Sequence, residues 1–285
     1  MSQKHCIIIA GPTAVGKTAI AIETALSLGT EIVSADSRQC YKEMRIGVAR
    51  PSEEELSAVK HHFIANHSVL ENITAVSFAR EAKEYLNDIF TRHDQAIVCG
   101  GTGLYIKALV EGLDNIPEID AAYREQVSNL FEEKGIDGLR AELLQRDPGF
   151  ASTGDINNPA RMMRALEVVL ATGEPIRSFQ SGKKITDEER GFSISYRIID
   201  LPREELYQRI NQRVDHMVKV GLEEEARALT VYRDRPALQT VGYQEFFNYF
   251  DGLCSRAEAI EKIKQHTRNY AKRQMTWFKR HVEEG

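Results

Sequence analysis

An eight-residue run near the N-terminus, Gly11-Pro12-Thr13-Ala14-Val15-Gly16-Lys17-Thr18, restricts the fold more than any other feature of this chain. It fits the GxxxxGK[ST] pattern, and it follows a short apolar run (His5 to Ala10) and precedes an amphipathic stretch (Lys17 to Leu28), the setting that a phosphate-binding loop requires. A strand that turns through glycines into a helix aims successive backbone N–H groups, and the positive end of the helix dipole, at one point. Lys17 adds charge there, and the Thr18 hydroxyl is suited to ligating Mg²⁺. The run predicts an α/β core whose first turn holds a pyrophosphate-type phosphate chain. Nucleotide (ATP) binding belongs to the same class of loop.

The pattern downstream agrees with a parallel sheet. Up to residue 113 short apolar runs (His5 to Ala10, Glu31 to Ser34, Ala96 to Cys99) alternate with helical stretches at Lys17 to Leu28, Ala75 to Phe90 and Thr102 to Val110. From 114 to 192 the strand signal vanishes. Helical patterns at Ala121 to Glu133, Gly138 to Arg146 and Pro159 to Ala171 predict a helical insertion domain, with joins able to hinge at Asn115-Ile116-Pro117 and Ser181-Gly182. The core resumes over 193–285 with an apolar strand from Ser193 to Leu201. Helices follow at Arg203 to Val220 and Leu222 to Tyr232, and a long one runs from about Ala257 to His281. The fold class is therefore a P-loop NTPase-like parallel sheet flanked by helices, with an inserted helical domain.

Composition excludes several alternatives. At 285 residues, 42% hydrophobic and 28% charged, the chain is that of an ordinary globular protein. Its longest apolar run is far too short to span a bilayer, so no membrane is expected. Four scattered cysteines without a CxxC pair suggest neither zinc nor a disulfide framework, and a cytoplasmic location follows. Net charge is −5, yet the segment from Arg256 to Gly285 holds eight Lys or Arg against four Glu. A basic tail on an acidic body points that tail at phosphate. In it Lys264, Arg268 and Lys272 recur on one helix face, opposite an apolar stripe of Ile260, Ile263, Tyr270, Trp277 and Phe278.

A phosphate loop leaves the reaction open, so the residues opposite it matter. Asp36 lies just beyond the second predicted strand, where ligands gather in open parallel sheets. It could act as a base, hold a metal or cap a loop, and the polar cluster Ser37, Arg38, Gln39 and Tyr41 beside it exceeds what a cap needs. Thr102, in the run Gly100-Gly101-Thr102-Gly103, reads by default as a helix N-cap. No Asp or Glu follows that strand as a Walker B carboxylate would, which disfavours a hydrolytic motor and favours group transfer.

These residues carry a family resemblance. The P-loop, Asp36-Ser37-Arg38-Gln39-Cys40-Tyr41, Gly100-Gly101-Thr102-Gly103-Leu104-Tyr105, the stretch from Asn158 to Glu167, Val241-Gly242-Tyr243 and the run from Tyr270 to Phe278 together resemble tRNA dimethylallyltransferases, in order and over nearly the whole chain. The resemblance implies transfer of a dimethylallyl group from dimethylallyl diphosphate to N6 of the adenosine 3′-adjacent to the anticodon of tRNA. It further implies that Asp36 is the general base, that Thr102 acts beside it, and that Arg213 reaches the diphosphate gripped by residues 11–18. Contacts to the anticodon stem-loop would come from Asp36, Ser37, Arg38, Gln39 and Thr102. Further contacts are implied for Arg124, for Ala160, Arg161, Met162, Met163 and Arg164, and for Gln239, Thr240, Val241, Gly242, Tyr243 and Gln244. Mg²⁺ on Thr18 is the implied cofactor, and a monomer the implied state. The sequence departs from the family at Cys40, Val48 and Arg50, and it stops soon after Trp277 without the zinc-finger extension of eukaryotic relatives, so a bacterial-type enzyme is expected.

Three rivals share parts of this pattern. A small-molecule P-loop kinase would need neither the insertion nor the basic tail. An isopentenyltransferase acting on free adenine nucleotides would have nearly the same catalytic centre, and a nucleotide-gated RNA-binding module would tolerate loss of Asp36.

Overall fold

The computed structural model describes residues 4–114, 116–180 and 182–282, so the expected hinge positions Asn115 and Ser181 lie outside the described residues. Contacts divide the chain into two compact units, one of residues 1–112 with 185–285 and the other of Leu113–Lys184.

The first unit is built on a five-stranded parallel sheet of order β3-β2-β4-β1-β5, with β1 His5–Ala10, β2 Ile32–Ala35, β3 His61–His62, β4 Gln95–Gly100 and β5 Ser193–Ile198. The central strands are continuous apolar runs because helices cover both faces. Cys6, Ile8 and Ile9 of β1 and Ala96, Ile97 and Val98 of β4 are fully buried. Each such Ile or Val side chain contributes about 1.5–3 kcal/mol of transfer free energy. Before the insertion the helices are α1 Lys17–Leu28, α2 Glu53–Ala58, α3 Ala75–Phe90 and α4 Gly103–Val110. The expected bounds of α1 and α3 are met at both ends, since each carries its own stop and start chemistry. Left-handed Gly29 ends α1, and Thr74 and Ser77 form a capping box ahead of α3.

The second unit holds α5 Ala121–Arg146, α6 Pro148–Thr153 and α7 Pro159–Thr172 around its own core of Val127, Leu139, Leu143, Met162, Leu166 and Val169. The two helices expected at 121–133 and 138–146 form one element interrupted by Gly135, whose φ of 60° and ψ of −158° break the helical path.

This unit ends at Lys184, and the stretch from Ile185 to Phe192, expected within the insertion, belongs to the core. The cause is a buried cation. Arg190, at the end of the short helix α8 (Asp187–Arg190), donates to the Val110 carbonyl at 3.0 and 2.7 Å and to the Ile185 carbonyl at 3.1 Å. A buried guanidinium must find acceptors, and these carbonyls belong to the core.

The core closes with α9 Arg203–Lys219, α10 Leu222–Ala228, α11 Gln244–Phe250 and α12 Arg256–Val282. The apolar stripe of α12 packs as expected, with Ile263 and Phe278 buried. Its basic face differs from expectation. Lys264 pairs with Asp215 at 2.8 Å and Glu261 at 3.0 Å, and Arg268 donates to Asn211 Oδ1 at 2.6 Å, so both are engaged within the protein while Lys272 stays exposed. Helix periodicity alone does not reveal that α9 supplies the acceptors.

Candidate active site

The carboxyl ends of β1, β2 and β4 deliver the P-loop, Asp36 and the Gly100-Gly101-Thr102-Gly103 turn to one edge of the sheet, where parallel topology places ligand sites. In the P-loop, Gly11, Ala14 and Gly16 have φ of 152°, 66° and 101°, and Gly16 leads directly into α1. Glycine is required at position 11 for space as well, because a Cβ would lie 2.3 Å from the Ile199 carbonyl oxygen. Lys17 Nζ folds back onto the Pro12 carbonyl at 2.7 Å. Burial pushes its ammonium down to about 8, Asp36 opposes that shift, and the Arg213 charge adds to it.

Asp36 is held as a turn residue with one oxygen committed. Its Oδ1 accepts from the Arg38 N–H at 2.9 Å and the Gln39 N–H at 3.2 Å. Thr102 is the N-cap residue of α4, as its place in the sequence suggests, but its side chain makes no capping hydrogen bond. Its hydroxyl oxygen instead accepts from the Ser37 N–H at 3.1 Å and so braces the Asp36 loop. The reason is reach, since β2 and β4 are paired and their ends lie side by side.

Two cavities meet at these residues. The first, about 520 Å³, is lined by Thr13, Lys17, Thr18, Asp36, Arg213 and Tyr270, with apolar Ile46, Val48, Met217 and Val220 on another side. The second, about 350 Å³, is lined by Ser37, Arg38, Gln239, Thr240, Val241, Gly242, Gln244 and Arg273, and again by Asp36, Arg213, Met217 and Tyr270. Arg213, expected at the diphosphate, donates to Thr13 Oγ1 at 3.1 Å, and burial lowers the pKa of its guanidinium.

Two members were named in the sequence only as parts of motifs. Gln274 is buried; its Oε1 accepts from the Thr13 N–H and its Nε2 donates to the Gly101 carbonyl, both at 2.9 Å, so α12 ties the P-loop to the turn after β4. Tyr270 faces both cavities, and burial, with Asp36 near, pushes its phenol up to about 12 against a hydrogen bond with Thr102. The sequence signal for Gln274 was its one-turn offset from Tyr270 on a single helix face.

Other expected site residues fall elsewhere. Arg124 and residues 160–164 lie in the Leu113–Lys184 unit, where Arg161 pairs with Asp155 at 3.1 Å and Arg164 with Glu167 at 3.3 Å. Met162 and Tyr243 are fully buried, so their side chains are core, which corrects the expectation of a side-chain contact with RNA. Each sits one position away from residues that do reach the surface, and a motif does not reveal which way a helix or loop turns its members.

Comparison with known proteins bears on this site. A family profile described as IPP transferase matches residues 39–281. The tRNA dimethylallyltransferase of Cytophaga hutchinsonii is 46% identical over 280 residues, 98% of this chain and 91% of the relative. The chain belongs to the tRNA dimethylallyltransferase family. A second member, from Christiangramia forsetii, is 45% identical over 98% of this chain and 91% of its own length. Among solved structures, the tRNA isopentenylpyrophosphate transferase of Bacillus halodurans is similar with a TM-score of 0.69 at 34% identity, covering 98% of this chain and 88% of that one. A eukaryotic dimethylallyltransferase acting on tRNA gives 0.76 at 28% identity, over 96% and 70%. The family's fold is thus the fold of this chain, P-loop sheet included.

Proposed function

We propose that this chain transfers a dimethylallyl group from dimethylallyl diphosphate to N6 of the adenosine 3′-adjacent to the anticodon of tRNA, with Asp36 as the base. The observation that carries the proposal is that Asp36 lines both cavities, one ringed by P-loop groups and cations and the other by the loop Gln239 to Gln244. The first cavity supports a donor role. Lys17, Arg213 and the P-loop N–H groups suit a diphosphate, and Ile46, Val48, Met217 and Val220 suit its five-carbon chain. In the second cavity the flipped adenine would present its amine to Asp36, at a cost of a few kcal/mol for unstacking.

The step balances without a redox partner. The allylic C–O bond breaks and its electron pair leaves with diphosphate, the N6 lone pair forms the new C–N bond, and an N6 proton passes to Asp36. Oδ1 serves the turn, so Oδ2 is the atom offered to that proton. Lys17, Arg213 and the P-loop amides act where negative charge develops, on the departing diphosphate. For Mg²⁺, the cavity offers the Thr18 hydroxyl and the Asp36 carboxylate, oxygen donors of the kind that ion prefers. No group of three or more His, Cys, Asp or Glu able to hold a metal occurs among the described residues, so an ion here would rest chiefly on diphosphate oxygens. When bound it would neutralise charge on the leaving group.

The RNA would be held by the Leu113–Lys184 unit through Arg124, Arg161 and Arg164, and by the loop at 239–244. The chain is proposed to act as a cytoplasmic monomer. Its four cysteines are free thiols, which suits a reducing compartment, and no helix among the described residues is long and apolar enough to cross a membrane.

The test is incubation with Mg²⁺, labelled dimethylallyl diphosphate and either unmodified tRNA or AMP, followed by digestion to nucleosides. Label in an adenosine of tRNA supports the proposal, and label in AMP alone refutes it.

A further inference from the structure

We propose that Glu225, on α10, is a positioning residue whose clasp on the loop from Arg45 to Ala49 sets the width of the donor cavity and hence the length of allylic chain accepted. The inference rests on the reading of the first cavity as the donor site. Glu225 belongs to none of the motifs above and lines neither cavity.

Its carboxylate accepts from three consecutive amides of one stretch of backbone. Oε2 accepts from the Arg45 N–H at 3.0 Å and the Ile46 N–H at 2.8 Å, and Oε1 accepts from the Gly47 N–H at 2.9 Å. Three consecutive amides converging on one carboxylate fix the path of that loop, since each bond is charge-assisted and they act on adjacent residues. Oε1 also accepts from the buried Tyr243 hydroxyl at 2.7 Å, and burial beside this carboxylate raises the pKa of that phenol.

Tyr243 then serves as a backstop. A Cβ on Gly47 would sit 2.6 Å from the Tyr243 ring, so the loop lies directly against the aromatic face with no room for a side chain. The far end of the loop is held by Arg50, whose Nη2 donates to the carbonyls of Tyr41, Lys42 and Met44 at 2.7, 2.9 and 2.5 Å. Between these anchors the loop presents Ile46 and Val48 to the donor cavity, and it lends Gly47, Val48 and Ala49 to the second. Met217 and Val220 on α9 face the same space. The loop is therefore a wall of the cavity held at one setting, and the Glu225 clasp is what holds it.

The charge of Glu225 and the hydroxyl of Tyr243 act in one device, so both are testable. In steady-state assays with tRNA, Glu225→Ala is expected to raise the KM for dimethylallyl diphosphate about tenfold. It is also expected to raise kcat/KM for geranyl diphosphate relative to dimethylallyl diphosphate about tenfold, with kcat per folded enzyme within about twofold. Tyr243→Phe removes one hydrogen bond and keeps the ring, and it should shift both quantities in the same direction by about threefold. If Glu225→Ala fails to fold, Tyr243→Phe decides the matter. A lower Tm with unchanged KM and unchanged chain-length selectivity would overturn the proposal, because a merely structural residue lowers the amount of folded enzyme without altering its preference. Wild-type transfer to tRNA in the same assay keeps the reading of the cavity separate from this result.

Discussion

At the scale of single residues, the site is a set of charged groups whose protonation is tuned by where the chain places them. Lys17 is the clearest case. Its ammonium is held down to about 8, so in the free protein about half of it has lost its proton near pH 8. A bound diphosphate favours the charged form and raises that pKa, so binding above pH 8 must take up a proton. Donor affinity is therefore expected to be flat below about pH 7 and to weaken by about tenfold per pH unit above 8. Calorimetry in buffers of differing ionisation enthalpy would show the proton uptake, and an affinity unchanged to pH 9.5 would contradict it. Which residues could be read from the sequence follows from how local their chemistry is. Gly11, Gly16, Lys17 and Thr18 were legible because a P-loop is formed by the backbone of one short run. Thr102 was correctly placed as the N-cap residue of α4, but the use of its hydroxyl was illegible because its partner, the Ser37 N–H, is 65 residues away and adjacent only through the pairing of β2 with β4. Glu225 was illegible for the same reason, since its amides are 178 to 180 residues distant.

At the scale of elements, α12 is the part that binds the others together. Its residues close the turn after β4 from above: Gln274 lies against Gly101, and a Cβ on Gly103 would come 2.3 Å from the Trp277 ring. The glycines of that run thus mark the approach of a helix some 170 residues later, a reading that their sequence alone could not supply. Gly103→Ala is expected to destabilise the protein by about 1–3 kcal/mol, because the added methyl would overlap the Trp277 ring and force the ring or the helix to shift. Urea unfolding would measure this, and a stability equal to wild type would show that the ring yields freely. Helix bounds, by contrast, were legible wherever a cap is local, as at Gly29, Thr74 and Gly173. The short helix α11 was missed because its run from Gln244 to Phe250 is too short and too aromatic to show a period, with Glu245, Phe246 and Phe247 buried in succession.

For the whole molecule, the division of labour is between a core that carries chemistry and an inserted unit that has its own hydrophobic core. A unit of that kind can be selected for RNA contact without disturbing the sheet. Arg164→Ala is expected to weaken tRNA binding and to lower the slope of log affinity against log salt by about 1, leaving the rate of the bound complex nearly unchanged. Filter binding across salt concentrations would check it, and an unchanged slope would mean that Arg164 serves only Glu167. The parallel sheet and the presence of an insertion were legible from the alternation of patterns, whereas its C-terminal limit was not, because the burial of Arg190 is settled by acceptors on α4. Asp36 stands where two cavities meet, and it is the proposed base for the accepting amine. The most direct test is the single-turnover rate of Asp36→Asn with saturating dimethylallyl diphosphate and unmodified tRNA. The expected rate is lower by about 10² to 10⁴ with donor affinity within about twofold of wild type, since the amide keeps the shape and loses the base. A rate near that of wild type would contradict it.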